Sequence, residues 1–253
     1  MCAHPSRAGA IVILSLELSE KVLAHLVAAT GVTEVHGADG GNLMVAQGVD
    51  GGPSGTMRLF TGGSIQKIVW TKLQVPARGV TTCMIFAFSD PDSALPHFTL
   101  DCADHGDASY AFHLDLMPRV ELALNIDYMD EVFVPLSPLY ETGRAIEGMW
   151  ATGTTPRQFA MMSPWMLVNF CTEAAFRSMG EVVMDYADHW IGVINAGISK
   201  SVQENVSNTP LRERDAQVRY NLFSPEIDPV WGRVESMIGK EGSELIRSNL
   251  QLI

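Results

Sequence analysis

Between Ser64 and Met117 the chain reads as four strands in close succession, and no other feature restricts its fold so strongly. The stretches are Ser64 to Val75 (SIQKIVWTKLQV), Thr81 to Phe88 (TTCMIFAF), Pro96 to Ala103 (PHFTLDCA) and Ser109 to Met117 (SYAFHLDLM). Each is enriched in β-branched and aromatic residues and bounded by Pro, Gly or Asp turn signals. Connections this short join hairpins and leave no room for a parallel crossover, so the sheet is antiparallel. Upstream, Leu16 to Thr30 carries apolar residues at helical spacing and stops at Gly31. Residues 37 to 63 are rich in Gly and Asp and read as turns and a flexible hairpin. A phosphate-cradling loop is set aside there, because no Gly-Lys-Ser/Thr ending and no Gly-x-Gly-x-x-Gly helix opening is present. After Pro118 the pattern turns helical: Arg157 to Ala196 is a long apolar stretch with Pro164 and Gly180 as natural breaks. Two short helices follow, around Pro229 to Ile238 and Lys240 to Leu250. Strands first and helices afterwards predict an α+β fold, one domain over 1–253 with a central antiparallel β-sheet sandwiched between α-helices in three layers.

Composition narrows the function classes. Hydrophobic residues make up 47% of the chain and charged residues 18%, with a formal charge of −12. That is the opposite field from a nucleic-acid or anionic-membrane binder. A charged share below the usual ~25%, with many Met and Trp residues, suits a covered pocket or a homodimer. Cys2, Cys83, Cys102 and Cys171 are widely spaced, with no Cys-x-x-Cys pair, so neither a disulfide framework nor a zinc site is expected. Cys83 and Cys102 read as small buried thiols, in keeping with a reducing compartment. No uncharged apolar run reaches the length of a membrane span, and Ala8 to Leu16 lacks a signal-peptide cleavage site before Glu17 and Glu20.

Strand periodicity singles out side chains that share a face. His97, Thr99 and Asp101 point one way from PHFTLDCA, while Phe98, Leu100 and Cys102 point the other. Asp101 is thus a carboxylate in the middle of an apolar strand, costly unless it is paired or faces a wet pocket. It reads either as a strand-end Asp bonded to a neighbouring amide or as a functional acid. His113 and Asp115 share the next strand's polar face, either as an acid/base pair or as a solvent-facing edge. In Arg212 to Arg219 (RERDAQVR), a solvated helix face is the default, with an Asp215 to Arg219 ion pair at i,i+4 as the alternative. His105 and His113 without a third ligand make no metal site.

The ordered run GGSIQKIVW, PHFTLD, FHLDLMPRVEL and DYMDEVF, with SPWMLV at Ser163 to Val168 and the later Arg-Asp of RERDAQVR, resembles the red chlorophyll catabolite reductases. These belong with the ferredoxin-dependent bilin reductases. The likeness covers roughly residues 60 to 250. It implies an open-chain tetrapyrrole held between the sheet and the C-terminal helices, no bound metal or flavin, and electrons delivered singly by reduced ferredoxin in a radical mechanism. By position, Asp101 and Asp215 match the family's acids, approaching the pigment from the sheet side and the helix side of one apolar cleft; Met84, His113 and Arg219 are the candidate substrate contacts. Reductases of biliverdin often carry a His where Met84 stands, which favours conversion of red chlorophyll catabolite to a primary fluorescent catabolite. The alternatives are a biliverdin-type bilin reductase and a non-catalytic carrier of a tetrapyrrole or other hydrophobic ligand. Such an enzyme would work in plastid stroma or, in a bacterium, in the cytoplasm. Because plant-type ferredoxins are acidic, docking needs a local basic patch, for which Lys67, Lys72, Arg78, Arg212, Arg214 and Arg219 are candidates.

Overall fold

The computed structural model describes residues 12–48 and 53–253; Cys2 and the first part of the apolar run from Ala8 lie outside them. Its centre is a sheet built from β1 (Thr33–Val35), β2 (Met44–Gln47), β3 (Pro53–Thr61), β4 (Lys67–Val75), β5 (Val80–Phe88), β6 (His97–Asp104), β7 (Ser109–Met117), β8 (Met149–Trp150) and β9 (Leu167–Thr172). The order is β1-β3-β4-β5-β6-β7-β9-β8, with β2 also pairing β3, and every described pair is antiparallel.

Alternation divides the sheet into two unlike faces. Trp70, Ile85, Phe98, Leu100, Phe112, Leu114 and Leu116 pack with α1 (Leu14–Thr30), α2 (Ile126–Val132), α3 (Ser137–Arg144), α5 (Glu173–Ala196) and α6 (Lys200–Asn205) into the larger core. The opposite face carries Met57, Val69, Leu73, Phe86, Phe88 and Met117 under α7 (Leu211–Leu222) and α8 (Val230–Gln251). A short helix, α4 (Pro156–Phe159), precedes β9. Helix α1 buries Leu18, Val22, Leu23 and Leu26 and ends at Gly31, whose φ of 69° is the left-handed cap an unbranched backbone adopts without strain. Each such leucine contributes roughly 1.5–3 kcal/mol by leaving water. Helix α8 is two helices in one: Gly239, at φ 77° and ψ 169°, breaks it between the two segments expected from the sequence.

Pro53–Thr61 pairs with β2 in the hairpin expected of the glycine-rich region, and it is a full nine-residue strand that also pairs with β4 inside the sheet. Other expectations are corrected: Leu167–Thr172, read as helical, is a strand one in from the β8 edge, and Gly180 lies within α5 and does not break it. A lone glycine costs a helix only about 1 kcal/mol, which the burial of Phe176, Met179, Val183, Tyr186 and Trp190 on α5 outweighs.

Candidate functional site

The face turned toward α7 and α8 carries the sequence-predicted residues. In register across the sheet, Met57, Thr71, Met84, Asp101, His113 and Val168 form one row. Asp101 therefore has Met84 on one side and His113 on the other, with Cβ atoms about 4.5–5.5 Å apart. The next row toward the strand ends, Leu73, Thr82, Ala103, Ala111 and Phe170, is small in its middle. Two alanines side by side between Thr82 and Phe170 leave this row, the trough of the sheet, with little side-chain bulk over about three strand spacings, on the order of 14 Å. Trp150 stacks on Phe170 at its far side, with centroids 6.2 Å apart. Arg157 Nη1 donates to the Glu226 carbonyl at 3.2 Å, tying α4 to the α7–α8 turn.

Asp101 is half-buried and makes no hydrogen bond or ion pair among the described residues. Burial, reinforced by the negative charge of Asp228 in the α7–α8 turn, pushes its carboxyl up to about 7. The strand-end reading of this acid does not hold, since no backbone amide reaches it. His113, half-buried, is pushed down to about 4 by burial, and its Nε2 is a buried atom without a partner. The solvent-facing edge expected for Asp115 is absent. Asp115 is fully buried and accepts from the Ser163 N–H at 2.8 Å and the Ser163 hydroxyl at 2.5 Å, yet burial still pushes it up to about 7.

Asp215 and Arg219 do not face the trough. Both are buried, and they form the i,i+4 ion pair through Arg219 Nε at 3.0 Å and Nη2 at 2.6 Å. His97 Nε2 lies 2.7 Å from Asp215 Oδ1 and Arg119 Nη2 3.6 Å from Oδ2. The Ser89 N–H donates to His97 Nδ1, which assigns the ring proton to Nε2, donating to Asp215. Burial alone would raise the Asp215 carboxyl, but the His97 hydrogen bond and the charges of Arg219 and Arg119 hold it well below the usual carboxylate range. Arg219 also stacks on the Phe88 ring at 3.8 Å and donates to the Leu252 carbonyl. The expectation that Asp215 approaches a pigment from the helix side and that Arg219 contacts it gives way to a buried knot that fastens α7 and the end of α8 to the sheet. The knot meets β6 at His97, four residues from Asp101 and therefore roughly 13 Å along the strand.

The basic patch expected for docking is largely spent inside the protein. Lys67 is buried and donates to the Asn249 and Leu252 carbonyls at 2.6 Å each, and burial lowers it to about 8. Arg214 donates to the Pro118 carbonyl and Arg212 pairs with Asp92. Lys72 lines a polar cleft of about 420 Å³ with Glu34, Arg58 and Trp70 on the α1 side, and Arg78 is exposed. A second cavity of about 220 Å³ lies beside Ser163, between Tyr140, Phe159 and Met166; neither of these two cavities is lined by Asp101 or Asp215. Neither the role of Asp228 nor the Asp115–Ser163 bond is legible in the sequence, where Asp-Pro and Ser-Pro dipeptides mark turns. His97 was placed on the correct face, but its partner lies 118 residues away.

No protein-family model matches the chain, and no curated protein does. Among solved structures, phytochromobilin synthase from tomato, solved in complex with biliverdin, superposes with a TM-score of 0.70 over 93% of this chain and 82% of its own, at 17% identity. At that identity the likeness establishes a shared fold, an antiparallel sheet between helix layers.

Proposed function

We propose that this chain is a ferredoxin-dependent reductase of an open-chain tetrapyrrole, with red chlorophyll catabolite as substrate. The observation that carries the reading is Asp101, an unpartnered carboxyl held near neutrality over a trough of small residues, in the fold of a protein solved with biliverdin. A linear tetrapyrrole is a flat π system whose pyrrole nitrogens need acceptors and whose carbonyls need donors. The small side chains of Ala103 and Ala111 suit a flat molecule; Asp101 offers the polar contact; Met84, Val168 and Phe170 offer apolar ones.

With its carboxyl near 7, Asp101 carries a proton in about half of the molecules at neutral pH and releases it to a carbon that has just gained an electron. Ferredoxin supplies electrons one at a time, so each electron is followed by a proton. Asp228 keeps Asp101 proton-loaded by raising the cost of its anion. This role falls to Asp101 alone, since Asp215 is ionised and locked in its knot.

A biliverdin substrate is the second reading, favoured by the ligand of the tomato structure; Met84 beside Asp101, where biliverdin reductases of the resembling family often place a His, speaks against it. Mixing the protein with each pigment and then adding reduced ferredoxin decides the matter. Bleaching of the conjugated band only after electrons arrive, with red chlorophyll catabolite and not biliverdin, is the expected result. A spectral shift on mixing with no further change on reduction means a carrier and refutes the reductase reading.

A further inference from the structure

Four polar residues sit in a square on an otherwise apolar stretch of sheet. Thr99 lies opposite Asp115 and Asp101 lies opposite His113 across the β6–β7 pair, all on the face turned toward α7 and α8. Thr99 is fully buried with its Oγ1 unpartnered, and His113 Nε2 is likewise buried and unpartnered. Buried donors and acceptors normally find partners, because leaving one unmade costs about 1–3 kcal/mol. Two orphans in one square, beside two carboxyls, are a standing cost that structure alone does not repay. His113 occupies the corner between the acids: it lies across the ladder from Asp101 and two residues from Asp115 on the same face of its own strand, and its ring hydrogen-bonds to neither among the described residues.

We propose that Asp115 and His113 form a proton-supply line that reloads Asp101 after it has protonated the pigment. The inference rests on the reductase reading above. Reduction of one double bond consumes two electrons and two protons. The first electron from ferredoxin gives the pigment radical anion; the Asp101 O–H bond breaks and a C–H bond forms, leaving Asp101 as carboxylate. His113 then gives its ring proton to Asp101 while taking one at its other nitrogen from Asp115, so the imidazole stays neutral throughout. The carboxylate left at Asp115 is met by the N–H and hydroxyl of Ser163, two donors already in place. After the second electron, Asp101 donates again, and both carboxyls refill from solvent. Burial holds both acids near 7 and keeps His113 neutral, so at neutral pH each acid carries its proton about half of the time and the doubly loaded starting state is populated.

The test is single-turnover reduction of bound red chlorophyll catabolite by photoreduced plant-type [2Fe–2S] ferredoxin, followed by absorbance and by electron paramagnetic resonance. His113→Gln, Asp115→Asn and the double variant are compared with wild type. The expected result is unchanged pigment affinity and unchanged radical formation, with radical decay slowed about 100-fold, as for loss of a positioned proton donor. The double variant should be no slower than either single, since the two residues act in series. Wild-type radical decay in His113→Gln, or independent losses that multiply in the double variant, overturns the relay. Loss of pigment binding in His113→Gln does so too, making His113 a contact residue. If wild type itself neither binds nor reduces a tetrapyrrole, the reductase reading fails first, and that outcome is distinct from a failed relay.

Discussion

Asp101→Asn should make this protein more stable at alkaline pH while removing its proposed chemistry. In the folded chain the carboxyl titrates near 7, against an ordinary value of 3.8. Between these values the folded protein holds a proton that the unfolded chain has released. A raised carboxylate pKa therefore costs stability as pH rises from about 4 to 7, and above 7 the whole penalty is present. The displacement of about 3 units corresponds to a ceiling of about 4 kcal/mol. Asp101 is only half-buried, and water screening at a partly open site cuts this to roughly 2 kcal/mol. Asn has nearly the same shape and no charge to desolvate. Urea unfolding of wild type and variant, followed by tryptophan fluorescence at pH 4, 6 and 8, measures the difference directly. The two should be nearly equal at pH 4 and diverge progressively, with the variant the more stable at pH 8. Other raised acids, Asp115 among them, cancel in the comparison because both proteins contain them. A variant less stable than wild type at pH 8, or a gap constant from pH 4 to 8, refutes the account of Asp101 as an uncompensated charge.

Asp215→Asn should have the opposite character: it leaves two buried guanidinium groups without their counter-ion and should cost about 3–5 kcal/mol in urea unfolding. Because the Asp215 carboxyl is depressed, its stabilisation is present at neutral pH and is lost as pH falls below the ordinary carboxylate range, so the deficit of the variant should shrink on acidification. Ala111→Leu should fill the trough and weaken pigment binding at least about tenfold by absorbance titration, with a change in stability under about 1.5 kcal/mol, since Ala111 is only half-buried. Gly239→Ala should cost roughly 1 kcal/mol or more in the same unfolding assay, because φ 77° strains any residue with a Cβ.

The middle of the fold was legible because β4 to β7 are rich in β-branched and aromatic residues and joined by short turns, so the pairing follows from the turns and the shared face of His97, Thr99 and Asp101 from a period of two. The edges were not. Leu167–Thr172 is embedded in a forty-residue apolar run from Arg157 to Ala196, where periodicity does not separate a short buried strand from a helix. Pro53–Thr61 begins in glycine-rich sequence that local rules assign to turns, and pairing with β4 overrides them. At the site, the anomaly of Asp101 was visible as a charge among apolar residues. The fate of Asp215 was not: its i,i+4 pairing with Arg219 could be read, but burial of that pair depends on His97 and Arg119, each about a hundred residues away. Lys67 looked like a surface lysine because nothing local announces that the end of α8 folds back onto it.

β6 holds hydrocarbon on one side and, on the other, His97, Thr99 and Asp101. A slip of one residue against β5 or β7 would drive an imidazole, a hydroxyl and a carboxyl into the packing of Phe98, Leu100 and Trp190, while delivering phenylalanine and leucine to the trough. The groups that make the native strand expensive thus make its misaligned forms far more so. The same polar groups also act as a ruler, and an all-apolar version of this strand would have lost the marks by which it finds its neighbours.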